Sequence, residues 1–413
     1  WGLNAVVIGR VTRGGRMRVN DGGALVADIP AAALTDGAPV YRRPVRKPGY
    51  LTRARQLSLS RLPEPTQLLD VLAALLGSPT IASKAPIYER YDHMVQTQTV
   101  ARPGQADAAV LRIRETGALL AAAIGGNGRH CYLDPYEGGK LAVAEVARNL
   151  ACVGAAPLAV TDCLNFGNPK DPEIMWQFKE CVRGITDACR AFGTPVTGGN
   201  VSLYNESPRG AIDPTPVIGM IGLIEAPQPV TAAFKRDNDA VVLLGRTREE
   251  VGGSEYLAVW HRKKAGSPPR VDLAAERALQ LLLVEAASAG LLQSAHDCSE
   301  GGLGVALAES CFLDERRPLG ATIQLPAELA RSMRPDALLF GESAARAVVS
   351  CGRAQLEPLL ALAARRGVPA ALIGSVGGAY LTIAPWIEAP VDDLHRAWSA
   401  PLQPDAIPAL EAA

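Results

Sequence analysis

The most regular hydrophobic pattern runs through Ile174, Phe178, Val182, Ile185, Cys189 and Phe192, apolar positions three or four residues apart. That spacing puts all six on one stripe of a helix. The helix is predicted to start at Asp171-Pro172-Glu173, which combines a capping acid, a proline at the first helical position and an acid in the first turn. The Ala-rich run Leu141 to Cys152 predicts a second helix, which Gly154 can end. Two more are predicted, one from a cap at Asp272 to a stop near Gly290, the other from about Leu303 to Phe312. Short apolar runs predict strands at Val6 to Val11, Met17 to Val19, Ala24 to Ile29, Val217 to Leu223 and Ala240 to Leu244. Glycines inside the fourth of these let a neighbour pack closely on it.

A few strands before residue 30 bury too little surface to stand alone. A basic, proline-containing stretch from Tyr41 to Pro63 follows them. Residues 1–78 therefore read as the C-terminal tail of a preceding domain, its beginning missing, plus a linker. Residues 79–228 form one domain of mixed strands and helices, and Glu225-Ala226-Pro227-Gln228-Pro229 links it onward. Residues 229–400 form a second domain, and 401–413 are a frayed Ala/Pro-rich tail. The fold class expected is α/β (α+β). The chain opens on Trp1 without a Met, as a fragment, a processed product or an incomplete gene would.

Composition narrows the function classes. Lys+Arg and Asp+Glu are both 42, so no overall field favours nucleic acid or an anionic membrane as partner, and a small anionic ligand would need a local site. The eight cysteines form no zinc-like CxxC pair; their scatter through apolar stretches reads as buried reduced thiols of a cytosolic protein. No signal peptide and no apolar run of ~20 residues occurs. No GxSxG elbow accompanies His296 and Asp297, which argues against a hydrolase.

Four clusters carry candidate chemistry. In the first, the apolar run into Asp162 followed by Cys163-Leu164-Asn165-Phe166-Gly167-Asn168-Pro169 suggests a carboxylate at a strand end, placed to hold Mg²⁺ or a ribose hydroxyl, or an Asx-turn that merely closes the strand. In the second, Gly198-Gly199 would let backbone amides approach a phosphate, Asn200 offers an amide oxygen to Mg²⁺, and Ser202 can donate; a plain glycine bulge is the other reading. It is not a Walker loop, since no Gly-Lys-Ser/Thr follows. In the third, Glu145 and Asn149 lie four apart on one helix face, where they either hold a cation or form a solvated, salt-bridged stripe with Arg148. Just upstream, Lys140 at the expected helix start offers a place for a phosphate. In the fourth, Asp297-Cys298-Ser299-Glu300-Gly301-Gly302 precedes a helix, giving an anion site with Asp297 as a metal ligand, or Ser299 as a simple N-cap. His93 offers a base or a structural histidine.

Five strings, in order, carry a resemblance to a known family: Tyr91 to Thr97, Leu133-Asp134-Pro135-Tyr136, Ala142 to Leu150, Asp162 to Pro169, and Gly199 to Glu206. They resemble the second half of the ATP-dependent synthetase subunit of phosphoribosylformylglycinamidine synthase, of the small bacterial and archaeal type; His296 to Leu303 resembles that family's glycine loop. The resemblance implies the second half of a fused pseudo-dimer in which each unit has an N-terminal sheet/helix domain and a C-terminal α/β domain. It implies ATP-dependent amidation of formylglycinamide ribonucleotide, with Mg²⁺, in purine biosynthesis. By the same resemblance Asp162 and Gly199 contact ATP, Asn200 helps hold Mg²⁺, and Ser202 contacts substrate. Asp92, Glu145, Asn149, Asp297 and Ser299 would line an auxiliary nucleotide and metal site. Catalytic histidines and the remaining Mg²⁺ carboxylates would belong to a missing N-terminal half. Ammonia would come from a separate glutaminase subunit, alongside a small accessory subunit. Two competing expectations are a half that holds a nucleotide without turnover and another ATP-using member of the same superfamily, such as a small-molecule kinase.

Overall fold

Two strands, β1 (Arg16–Asp21) and β2 (Ala24–Pro30), pair antiparallel around Gly22 and Gly23, both at positive φ. They belong to a small unit, Trp1–Pro44, separate from Val45–Ala413. The computed structural model describes residues 1–314 and 316–402; the expected tail from 403 onward lies outside the described residues. In the small unit the strands expected at Met17 to Val19 and Ala24 to Ile29 form. The one expected at Val6 to Val11 does not: the segment pairs with no strand and Ile8 is 96% exposed. A β-prone run becomes a strand only when a neighbour supplies its ladder hydrogen bonds.

The larger unit contains two sheets. The first is built from β3 (Thr99–Ala101), β4 (Ala109–Arg112), β5 (Leu119–Gly125), β6 (Ala155–Asn165), β7 (Val196–Ser202) and β10 (Thr215–Ile224), in the order β3-β4-β5-β10-β6-β7. A tiny hairpin, β8 (Glu206–Ser207) with β9 (Gly210–Ala211), precedes β10. All pairs in the sheet are antiparallel except β6 with β7. One face is covered by the Pro135–Cys152 helix, whose Val143, Val146, Ala147 and Leu150 are buried against Ile218 and Met220. The other face is open: Ile124, Ile221 and Leu223 alternate outward and are 73%, 43% and 39% exposed.

The Pro172–Phe192 helix starts at the expected cap, Asp171 accepting from Glu173 N at 2.8 Å, and buries Ile185 and Cys189 on the expected stripe. The helix expected from Leu141 begins six residues earlier, because Asp134-Pro135 is itself a cap followed by proline; Asp134 accepts from Glu137 N at 3.2 Å. Lys140 therefore sits inside the helix, buried, donating to Val271 O at 3.3 Å and paired with Glu137 at 2.9 Å, and is closed to any phosphate.

The two helices cross where glycine removes a side chain from each. A Cβ on Gly139 would lie 2.5 Å from Cys181 O, and one on Gly184 would lie 2.1 Å from Tyr136 O. Gly184→Ala must push the helices apart and is expected to cost about 1–3 kcal/mol, the usual range for overpacking, read as a lower melting temperature. Unchanged melting would show the crossing to be slack.

The second sheet combines β11 (Ala240–Leu244), β12 (Ser294–Asp297), β13 (Ala321–Gln324), β14 (Ala347–Cys351), β15 (Ala370–Val376), β16 (Tyr380–Ala384) and β17 (Ile387–Pro390), in the order β12-β14-β11-β15-β13-β16-β17. Its interior strand β11, third in that order, is wholly buried between the Leu273–Ser288 and Leu356–Arg366 helices on one side and the Gly302–Phe312 helix on the other. Asp272 caps the first of these helices, as expected. Part of the stretch expected as a linker is structural: the Leu68–Leu76 helix buries Val71, Leu72, Leu75 and Leu76 in the core of this domain beside Phe312 and Trp398. Its apolar face found a partner more than two hundred residues away, a contact local pattern cannot announce.

Candidate functional site

Between the Pro135–Cys152 helix, β12 and the Gly302–Phe312 helix lies a cavity of about 280 Å³. Glu145, Asn149, Asp297 and Ser299 line it together, so four of the five residues expected at an auxiliary site converge from segments 150 residues apart in sequence. Asp92 does not join them. It is exposed, and its carboxylate accepts from Met94 N at 2.8 Å in a local Asx turn. Ser299 is not the N-cap of the following helix either: Gly301, at φ 78°, takes that place, and Ser299 Oγ donates to Asp297 Oδ2 at 2.5 Å.

The surroundings are anionic. Asp107, Glu300 and Glu309, which the sequence reading did not single out as ligands, share the wall. Arg148 is the buried counter-charge, reaching Glu276 at 2.6 Å and Asp297 at 3.2 Å. It is thus salt-bridged across the two domains, while Glu145 and Asn149 on the same helix turn into the cavity. Burial pushes the Glu145 carboxyl well above its ordinary range, and repulsion from Glu300 and Asp297 adds to this against the pull of Arg148. Burial raises Asp297 and Glu300 as well. His296 sits between Asp107 (2.6 Å) and Glu309 (3.0 Å); burial lowers its pKa, but the two carboxylates outweigh that and hold it well above the usual value.

These features fit a divalent cation better than a bare anion. Oxygen donors crowd together at a cost in mutual repulsion that a hard cation removes. Asn149 Oδ1 is buried with no hydrogen-bond partner among the described residues, an acceptor waiting for a donor or a metal. Asp107, His296 and Asp297 each bring one ligand-type atom within 4.8 Å of the others. Both imidazole nitrogens of His296 are taken by carboxylates, so the oxygens are the available ligands.

The other candidates lie on strands rather than loops. β6 runs on to Asn165, and β7 pairs beside it in parallel, matching Asp162 with Gly199, Cys163 with Asn200 and Asn165 with Ser202. The Asn/Gly composition suggested loops; edge pairing to β6 overrode it. Alternation then divides the four. Asp162 shares the helix-facing side with its β10 neighbour Ile218, whereas Asn200 faces the open side beside Cys163, its amide 3.9 Å from the sulfur. Ser202 Oγ donates to Asn205 Oδ1 at 3.2 Å. A Cβ on residue 199 would lie 2.2 Å from Asp162 Oδ1, so only glycine lets the carboxylate lean across the strand pair. Burial raises the Asp162 pKa. His93 packs edge-on against Tyr88, outside the 280 Å³ cavity.

The two sheets and their helices define a class. Residues 105–224 match the N-terminal domain, and residues 236–383 the C-terminal domain, of the family described as AIR synthase related protein, and the chain belongs to that family. Its relatives are more particular. The chain is 53% identical over 384 residues to the phosphoribosylformylglycinamidine synthase subunit PurL of Moorella thermoacetica, covering 93% of this chain and 51% of that one. It is 49% identical over 423 residues to the same-named subunit of Anaeromyxobacter sp. (strain Fw109-5), covering 99% and 54%. The fold matches T. maritima PurL complexed with FGAR at a TM-score of 0.62 and 20% identity, covering 80% of this chain and 54% of that chain. The chain therefore spans about half the length of the curated relatives it matches.

Proposed function

We propose that this chain is the C-terminal half of a phosphoribosylformylglycinamidine synthase synthetase subunit. The reaction joins formylglycinamide ribonucleotide, ATP and ammonia to give the amidine, ADP and phosphate. The observation that carries this reading is 53% identity to a PurL subunit sustained across 93% of the chain. ATP phosphorylates the amide oxygen to an iminophosphate; ammonia then adds to the carbon and phosphate leaves. Asp162 and Gly199 contact ATP, Asn200 lends its amide oxygen to Mg²⁺, and Ser202 donates to the substrate. Mg²⁺, when bound, supplies charge neutralisation at the transferring phosphoryl group.

An N-terminal half covers the open sheet face, where Ile124, Ile221 and Leu223 are exposed and toward which Asn200 points. Exposed apolar surface of this kind marks an interaction site. Ammonia comes from a separate glutaminase subunit, with a small accessory subunit. The location is cytoplasmic, supported by eight free cysteines; no helix among the described residues is long and apolar enough to cross a membrane.

A second reading, that the chain also holds a non-reacting Mg-nucleotide, is favoured by the unpaired Asn149 Oδ1 in the 280 Å³ cavity. Glu145, Asn149, Asp297 and Ser299 would line that site.

ADP release tests both readings, measured with ATP, Mg²⁺, the ribonucleotide and ammonium chloride, first with this chain alone and then with a separately made N-terminal half. Turnover is expected only in the mixture. Turnover by the chain alone would overturn the half-enzyme reading in favour of a complete kinase-like site, and tight nucleotide binding with no turnover in either case would leave only the structural nucleotide.

A further inference from the structure

The C-terminal domain has a second concavity of opposite charge. A pocket of about 250 Å³ opens where β11 ends, lined by Arg246, Arg248 and Arg270, with Asp272 as its one acid. Among the described residues none of the three guanidinium groups has an ion-pair or hydrogen-bond partner. Arg248 and Arg270 are bonded only through their backbone amides, to Ser343 Oγ and Glu250 Oε1, each at 3.1 Å. Some arginines of this unit are paired, as Arg148 with Glu276, Arg334 with Asp336 and Arg366 with Glu285. What sets Arg246, Arg248 and Arg270 apart is that they line one concavity together.

The floor is built by close backbone approach. Gly245 is at φ 92°, and a Cβ there would lie 1.9 Å from Ala345 O, so no side chain fills the space. Asp272 is already committed, its Oδ1 accepting from Ala274 N and Ala275 N at 3.0 and 3.1 Å as the cap of the sixteen-residue Leu273–Ser288 helix. That helix brings the positive end of its dipole to the same mouth. Three guanidinium groups against one carboxylate leave an excess of two positive charges. A phosphate dianion matches that excess, and its oxygens match the fork of the guanidinium group. The wall shares no residue with the acidic cavity around Glu145.

We propose that this arginine-lined pocket binds a phosphate dianion, either free phosphate or the monoester end of a small sugar phosphate. The test is calorimetric titration of the 413-residue chain with inorganic phosphate and, separately, with ribose 5-phosphate, at matched ionic strength with chloride as the balancing salt. The double variant Arg248→Gln/Arg270→Gln is expected to weaken binding at least tenfold, and Arg331→Gln, an exposed arginine elsewhere on this domain, to leave it unchanged. Tenfold tighter binding of ribose 5-phosphate than of phosphate would assign the pocket to the monoester, and equal binding would assign it to the free ion. Equal affinity in wild type and double variant, or equal weakening by Arg331→Gln, would overturn the proposal. Melting curves check that the variants are folded, and Arg246→Gln provides an independent single change should the double variant melt early.

Discussion

Arg148→Met is expected to destabilise the larger unit by about 3–5 kcal/mol near neutral pH, the range for removing one partner of a buried ion pair. Arg148 is 3% exposed and pairs with Glu276, which is 0% exposed, and with Asp297. Methionine fills the volume but leaves two carboxylates buried without their cation. The loss should depend on pH in a defined direction. Burial raises the folded-state pKa of both Glu276 and Asp297, and Arg148 opposes that rise. Between the ordinary carboxylate value and the raised one, the folded state holds more protons than the unfolded state, so stability falls as pH rises through that window. Removing the arginine raises both folded values further. The deficit is therefore largest at high pH and shrinks on acidification, becoming small once the pH falls below the ordinary carboxylate range of about 4, where both states are protonated. Chemical denaturation of wild type and variant at several pH values reads this directly. Adding Glu276→Gln and Asp297→Asn to Arg148→Met should recover most of the loss at high pH; a deficit that stays flat with pH, or is not recovered, would show that Arg148 stabilises by packing alone.

Gly199→Ala should abolish ADP release by the reconstituted halves to the extent of ~100-fold or more, the scale on which an ångström of misplacement acts. The new Cβ would lie 2.2 Å from Asp162 Oδ1 and 2.4 Å from Asp162 O. One of these oxygens must move, either swinging the carboxylate away from its place over β7 or parting the β6–β7 pair. Both atoms belong to the residue proposed to contact ATP. Gly198→Ala is the matched comparison in the chain alone, because nothing lies within 4 Å of a Cβ there. Its unfolding should match wild type, whereas Gly199→Ala should lose about 1–3 kcal/mol. Full turnover by Gly199→Ala would remove the Asp162–Gly199 pair from the proposed ATP contact.

The parts of the fold legible in sequence were those written by local chemistry. Asp171-Pro172 and Asp272 marked helix starts because a cap satisfies orphan amides within three residues of itself. The stripe ending at Phe192 read correctly because its period chooses the buried face, and the run Ala240 to Leu244 because a short unbroken apolar run suits a strand buried on both faces. Glu145, Asn149, Asp297 and Ser299 were legible through the strings around them, and the fold brought those four to one cavity.

Other features had no local signature. Asp107 follows Gly104-Gln105-Ala106 with nothing to mark it, yet it holds His296 at 2.6 Å across 189 residues of chain. Gly138 and Gly139 look like helix breakers until Cys131 and Cys181 are seen to occupy the space their side chains would need. Asp162 was expected at a strand end and Asn200 in a separate glycine-rich loop, but a parallel strand pair set them side by side on opposite faces of a sheet. Sequence by itself determined the class of fold, the helix caps and the chemical inventory, since these follow from covalent geometry and periodicity over a few residues. Tertiary structure alone decided which carboxylates share a cavity, which arginine neutralises them and which three arginines line one pocket, because burial and electrostatic partnership depend on distances that only the folded chain defines.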